Sequence, residues 1–220
     1  CEGAVKINEI TVPTRYELKE DAEQLKLDCD FTVEEKEPGF VLKWLHNNVQ
    51  IYQWIPSNKL PFVLGTAFKG RIDLNYAGSD DRLKKHSALV ITKPLLSDSG
   101  NYTCYIQTLY SNDRKTAEML IIDPEDSLNV SYKFVAEDDS VDFKCEVTNI
   151  FPLPEVVLLF NDKEIANSTV VESTFGDDSV YDVTATANLK KNEVEDESNV
   201  VCLVRIPNTS YEKKATVLYD

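Results

Sequence analysis

Short runs of strict apolar–polar alternation recur along this chain, and each run predicts a half-buried β-strand. Leu25, Leu27 and Cys29 alternate with Lys26 and Asp28. Phe40, Leu42 and Trp44 share one face of the next run, and Val41, Lys43 and Leu45 share the other. Leu89 and Ile91, then Tyr102 and Cys104, then Ala117, Met119 and Ile121 continue the pattern. It returns in Val141-x-Phe143-x-Cys145, in Val183, Ala185, Ala187 and Leu189, and in Val200-x-Cys202-x-Val204. Residues 5–13 read as an edge strand closed by Pro13, and Arg71-Ile72-Asp73-Leu74 as a later strand. The stretch from Val49 to Ile55 is unusually apolar and aromatic, and Pro56 ends it. Turn chemistry separates the runs: Glu34-Glu35-Lys36-Glu37-Pro38-Gly39, His46-Asn47-Asn48, Asp98-Ser99-Gly100, and Asn112-Asp113 as a hairpin tip. The expectation is an all-β chain.

One stretch organises the rest. Leu96-x-Asp98-Ser99-Gly100-x-Tyr102-x-Cys104 places a Tyr two residues before a Cys, the arrangement of a tyrosine corner. That corner asks for an upstream Cys with a Trp about fifteen residues further on, and Cys29 and Trp44 supply both. With them the chain resembles the immunoglobulin superfamily. The resemblance implies two tandem immunoglobulin-like β-sandwiches, the first variable-type over residues 1–123 and the second constant-type over 124–220. It implies disulfides Cys29–Cys104 and Cys145–Cys202, each stabilising its domain by roughly 4 kcal/mol on a chain-entropy account. The first cysteine pair is 75 positions apart, which leaves space for the extra C′ and C″ strands; the second is 57 apart, too close for them. The family pairs an Arg with the Asp of the corner motif, so Arg71 is expected on Asp98. Strand G lacks the Gly-x-Gly bulge of antibody and T-cell-receptor variable domains. In the second domain Phe160 is read at the Trp position, and Val200 stands in for the corner Tyr. Variable-plus-constant pairing, with Phe40-Val41-Leu42-Lys43-Trp44 and an aromatic C′ strand, resembles the butyrophilin-like costimulatory molecules of vertebrates and the beaten-path proteins of insects. The Ile122-Asp123-Pro124-Glu125 junction is short, so a stiff joint is expected.

Charge and cysteine use narrow the class. The chain has 220 residues, 38 acidic and 23 basic, and a formal charge of −15. That excess argues against nucleic acid and anionic membrane surfaces as partners, where Lys and Arg must dominate. No window is apolar enough to span a bilayer, so membrane attachment would come only through a segment outside this chain. The chain starts at Cys1 without Met, as a processed or trimmed product would; Cys1 is read as a free or trimmed end, with a lipidated or mixed-disulfide terminus and an intermolecular bridge as the alternatives. Two bridges imply an oxidising compartment. Sequons at Asn101, Asn129, Asn167 and Asn208 agree with a secreted or cell-surface glycoprotein.

The two halves differ in charge. Residues 1–123 carry 18 acidic and 15 basic side chains, net −3; residues 124–220 carry 20 and 8, net −12, together with three of the four sequons. A surface meant for burial in a partner cannot be coated with sugar and is poor in charge at its centre. The first domain is therefore the expected recognition module and the second a spacer. Its G-F-C-C′ face offers Val41, Lys43 and Leu45 on C, and Thr103, Tyr105, Gln107 and Leu109 on F. Two registers stay open on C′: either Ile51, Gln53 and Ile55 face outward, or Tyr52 and Trp54 do. The resemblance favours Gln53 outward, with Tyr52 and Trp54 partly packed. The expected contact set is Val41, Lys43, Leu45, Ile51, Gln53, Tyr105 and Gln107. A sugar on Asn101 would leave only the upper part of that face and the loop tips free.

Catalysis has little to work with. Both histidines, His46 and His86, read as solvated loop residues, no nucleophile motif accompanies either, and no phosphate-binding glycine loop exists. Glu193, Glu195, Asp196 and Glu197 read as a solvated acidic turn rather than a calcium loop. The expectation is a non-enzyme, without cofactor or metal, that binds another cell-surface protein of immunoglobulin-like build. Homophilic adhesion with a weak homodimer, and a secreted soluble antagonist or carrier, are the alternatives.

Overall fold

The computed structural model describes residues 5–18, 24–34, 38–175 and 180–220; Cys1 and the residues 35–37 of the first acidic turn lie outside them. The chain divides into two compact units, Cys1–Ile121 and Ile122–Asp220.

The first unit contains β1 (Val5–Thr11), β2 (Arg15–Glu17), β3 (Leu25–Val33), β4 (Val41–His46), β5 (Val49–Trp54), β6 (Phe62–Val63), β7 (Leu89–Ile91), β8 (Gly100–Gln107) and β9 (Asn112–Ile122). They form a three-stranded sheet, β1-β3-β7, and a six-stranded sheet, β2-β9-β8-β4-β5-β6. In the family's lettering the larger sheet runs A′-G-F-C-C′-C″, the variable-type arrangement. The chain crosses between sheets around Pro13, where a residue without an N–H costs no ladder bond. Asn47 and Asn48 take φ of 48° and 66°, the pair of positive values that a tight two-residue hairpin needs and Asn tolerates. The alternation of β3 is realised: Leu25, Leu27, Cys29 and Phe31 are buried. They face Leu42, Trp44, Tyr102 and Cys104, each fully or almost fully buried. Burying an apolar side chain of this size stabilises by about 1.5–3 kcal/mol.

The second unit contains β10 (Ser127–Val135), β11 (Ser140–Ile150), β12 (Glu155–Phe160), β13 (Lys163–Glu164), β14 (Thr169–Phe175), β15 (Val180–Lys190), β16 (Ser198–Arg205) and β17 (Glu212–Tyr219). Two four-stranded sheets result, β10-β11-β15-β14 and β13-β12-β16-β17. Cys29–Cys104 and Cys145–Cys202 are bonded, with Cα atoms 6.4 and 5.8 Å apart.

Three local expectations are corrected. Residues 71–74 are not a strand; a single bridge, Ile72 to Ile91, joins this segment to the sheet. Asn112 and Asp113 belong to β9, and the hairpin tip lies earlier, where the Thr108 N–H donates to Ser111 O at 2.8 Å and the Thr108 side chain closes the same turn. Phe160 is not the counterpart of Trp44. Trp44 pairs with Cys104 across β4 and β8, whereas Leu158 pairs with Cys202 across β12 and β16. The spacing from Cys145 to Phe160 equals that from Cys29 to Trp44, but the turn between the strands is shorter in the second unit, so the register arrives two residues early.

Candidate functional site

The outward face of β9, β8, β4 and β5 is built by ladder register. Cross-strand partners in an antiparallel sheet point to the same side, so Phe62, Gln53, Lys43, Tyr105 and Arg114 form one row from β6 to β9. The Lys43 ammonium sits 5.7 Å from the centre of the Tyr105 ring, within range of a cation–π attraction. Gln50 Nε2 donates to Gln53 Oε1 at 2.8 Å. Above this row lie Val41, Gln107 and Asn112; below it lie Leu45, Thr103 and Thr116. The lowest outward positions are Asn101 and Glu118, which pair with each other.

Val41, Lys43, Leu45, Gln53 and Tyr105 are half-buried within the sheet surface, and Gln107 is exposed. Ile51 is not on this face: it is only 4% exposed. The ladder slips between Trp44 and Leu45, pairing Trp44 with Tyr52 but Leu45 with Gln50. Ile51 is the extra residue of that bulge, and the local twist turns it inward. Gln53 is outward, and Tyr52 and Trp54 are buried at 2% each rather than partly packed. Thr103 is also buried, its hydroxyl 2.7 Å from that of Thr116. Leu109 and Tyr110, at 70% and 76% exposure, stand at the tip beyond β8.

Behind the face, buried polar groups hold its frame. The Tyr102 hydroxyl donates to Asp98 O at 2.6 Å, closing the tyrosine corner. The Arg71 guanidinium donates to both Asp98 carboxylate oxygens, at 2.7 and 2.9 Å, and to the carbonyls of Lys93 and Ala67. Asp98 is nearly inaccessible and also accepts the Leu95 N–H. Three aromatic donors then secure the irregular segment that precedes β7: Trp44 Nε1 to Ser87 O at 2.9 Å, Tyr52 hydroxyl to His86 O at 2.8 Å, and Trp54 Nε1 to Leu83 O at 3.3 Å. Burial drives the phenols of Tyr52 and Tyr102 far above their ordinary ionisation range; for Tyr102 the neighbouring Asp98 charge adds to it and Arg71 opposes it.

The histidines are not solvated. His86 is 2% exposed, edge-on to Trp54, with Nδ1 2.7 Å from Tyr76 O. His46 is half-buried between Phe68 and Tyr102, with Nε2 3.0 Å from Ser99 O. Sequence reasoning missed both because their burial comes from the long connection folding back on β5, which no local pattern records. Among the described residues, no group of three or more His, Cys, Asp or Glu side chains is gathered to hold a metal, and no helix is long and apolar enough to cross a membrane.

All four sequon asparagines are exposed. Asn101 opens β8 at the lower end of the outward face, while Asn129 lies on β10, Asn167 just before β14 and Asn208 in the turn between β16 and β17.

No protein-family model matches the chain. A curated relative from Mus musculus, "V-set domain containing T-cell activation inhibitor 1", is 26% identical over 170 residues, 75% of this chain and 57% of the relative. The chain thus spans little more than half the length of the curated relative it matches. Among solved structures, bovine butyrophilin superposes with a TM-score of 0.69 at 18% identity, covering 94% of this chain and 95% of that one. Murine CEACAM1b gives 0.54 at 17% identity, covering 96% and 99%. At such identities the structural likeness is one of fold. With both staples in register and the tyrosine corner closed, the chain has the fold of two tandem immunoglobulin-like sandwiches, a variable-type one followed by a constant-type one.

Proposed function

We propose that this chain is the extracellular part of a cell-surface recognition protein that binds another immunoglobulin-like protein through the β9-β8-β4-β5 face of its first domain. Residues 1–123 act as the recognition module and 124–220 as a spacer carrying most of the negative charge and, at Asn129, Asn167 and Asn208, most of the sugar. The observation that carries this reading is the make-up of the face. Its centre presents Val41, Lys43, Gln53, Tyr105 and Gln107, with the exposed Leu109 and Tyr110 at its upper tip and the sequon Asn101 confined to its lower end. Interface centres combine aromatic and long side chains with few carboxylates. The name of the mouse relative, an inhibitor of T-cell activation, agrees with signalling by contact.

The test uses the 220-residue chain tetramerised as a stain on cells displaying a panel of immunoglobulin-like ectodomains. Replacing Lys43, Gln53 and Tyr105 together by Ala is expected to abolish every stain obtained with the wild type while leaving thermal unfolding within about 1 kcal/mol, as surface changes do. Equal staining by the triple variant would overturn the assignment.

A further inference from the structure

Among the described residues, ion pairs are recorded for four cations of the first domain, and the cations of the outward row are not among them. Arg15, Lys26, Arg71 and Lys84 each have a carboxylate within ion-pair distance. Among the described residues, neither Lys43 nor Arg114 does. These two are the cations of the outward row, one on each side of Tyr105. Along β4, β5, β8 and β9 the row sees no outward carboxylate until Glu118 at the bottom. The nearest acid in sequence, Asp113, is turned away: its carboxylate accepts the Ile7 N–H at 2.7 Å and the Arg114 N–H at 2.8 Å. A chain of formal charge −15 thus keeps one carboxylate-free cationic row at the centre of its proposed contact face.

Resting on the reading above, we infer that the occupant of this face is a protein surface bearing carboxylates set to meet Lys43 and Arg114 on either side of Tyr105, and that a second copy of this chain is excluded from it. The two cations stand two strand spacings apart, roughly 10 Å, so a pair of acidic side chains on neighbouring elements of a flat partner reaches both. Desolvated charge pairs at an interface centre discriminate strongly between partners, because an unmatched charge loses its water and gains nothing. A face-to-face contact between two copies is isologous, and one centred on this row, its two-fold axis passing through Tyr105, sets the row against its own duplicate. Four cations and two tyrosines would then be confined together with no carboxylate among them.

The experiment uses a charge-reversed copy of the same chain as the acidic probe. Sedimentation equilibrium is run on the wild type, on the Lys43→Glu/Arg114→Glu variant, and on their equimolar mixture. The wild type and the variant alone are expected to remain monomeric, and the mixture to form one-to-one pairs. Association of the wild type with itself that Lys43→Glu/Arg114→Glu abolishes, or a mixture that stays monomeric, would overturn the inference. Both positions lie on the sheet surface; should circular dichroism show the double variant misfolded, Arg114→Glu alone replaces it. The stained panel separates this inference from the reading beneath it. On every ectodomain that binds the wild type, the double reversal is expected to weaken binding by about a hundredfold, and Lys43→Arg/Arg114→Lys to preserve it. If the Lys43, Gln53, Tyr105 triple replacement abolishes binding but the reversal does not, the face stands and the acidic partner fails. If neither matters, the face itself fails.

Discussion

The same staple sits in two different settings. In both units a cysteine of the central strand bonds across to the opposite sheet, but its ladder partner is Trp44 in the first and Leu158 in the second. The first unit adds the Tyr102 corner and the Arg71–Asp98 pair; the second has Val200, fully buried, where the corner tyrosine would be. The contrast follows from regularity. In the second unit β14 pairs with β15 over seven residues, so the backbone is satisfied by its own ladder. In the first, the connection between β6 and β7 has no such ladder, only one bridge and scattered bonds. Its carbonyls are met instead by Trp44, Tyr52, Trp54 and Arg71. Polar aromatic side chains appear where a strand is missing, because buried carbonyls still require donors.

This contrast can be broken most sharply at Arg71. Arg71→Ala leaves the Asp98 carboxylate buried without its counter-ion, and is expected to cost the first unit about 3–5 kcal/mol. Differential scanning calorimetry should show the transition of the first unit move to lower temperature while that of the second unit stays. Alkali comes next. Tyr52 and Tyr102 stay protonated in the folded unit, while an unfolded phenol ionises near 10. Above that pH the unfolded chain binds fewer protons than the folded one, so stability falls as pH rises. The expected loss is about 1.4 kcal/mol per pH unit for each phenol, until the folded groups themselves ionise. Unfolding in denaturant at a series of pH values above neutrality measures it; a first unit equally stable on both sides of the phenol range would contradict the burial of these two hydroxyls. The smallest effect is Tyr102→Phe, which removes only the hydrogen bond to Asp98 O and should cost about 1 kcal/mol in the same denaturant titration.

How far the fold could be read from sequence depended on whether contacts were periodic. Alternation placed Cys29, Trp44, Tyr102 and Cys104 on inward faces, since each lies on an unbroken strand whose faces must sort by polarity, and the family's tyrosine-corner pattern tied them into one set. Ile51 was placed outward in the contact set and is buried instead, because a one-residue bulge resets the alternation and both Ile51 and Tyr52 are apolar. Phe160 was assigned by counting from Cys145, which fails when a turn changes length; counting back across the ladder from Cys202 would have found Leu158. Arg71 was matched to Asp98 by family pattern, yet its segment was mistaken for a strand, since three apolar-polar steps are too few to distinguish a strand from a tethered coil. Lys43, Gln53 and Tyr105 were legible as outward residues. The isolation of Lys43 and Arg114 from any carboxylate was not, because it depends on where Asp113 turns.

The clasp at the start of β8 has a bearing on the order of events in the secretory route. Asn47 Oδ1 accepts the Asn101 N–H at 2.9 Å, and the Asn47 N–H reaches Asn101 O at 2.8 Å. A Cβ on Gly100, whose φ is +137°, would lie 2.3 Å from that same Asn47 oxygen. Tyr102 and Thr103, the rest of the sequon, are sealed at 0% and 1% exposure. A transferase that must grip Asn-x-Thr as a pliant strand finds no purchase on it once the first sandwich has shut. A sugar on Asn101 would therefore be a time stamp, written while the nascent chain was still open, and its occupancy would gauge the race between folding and modification.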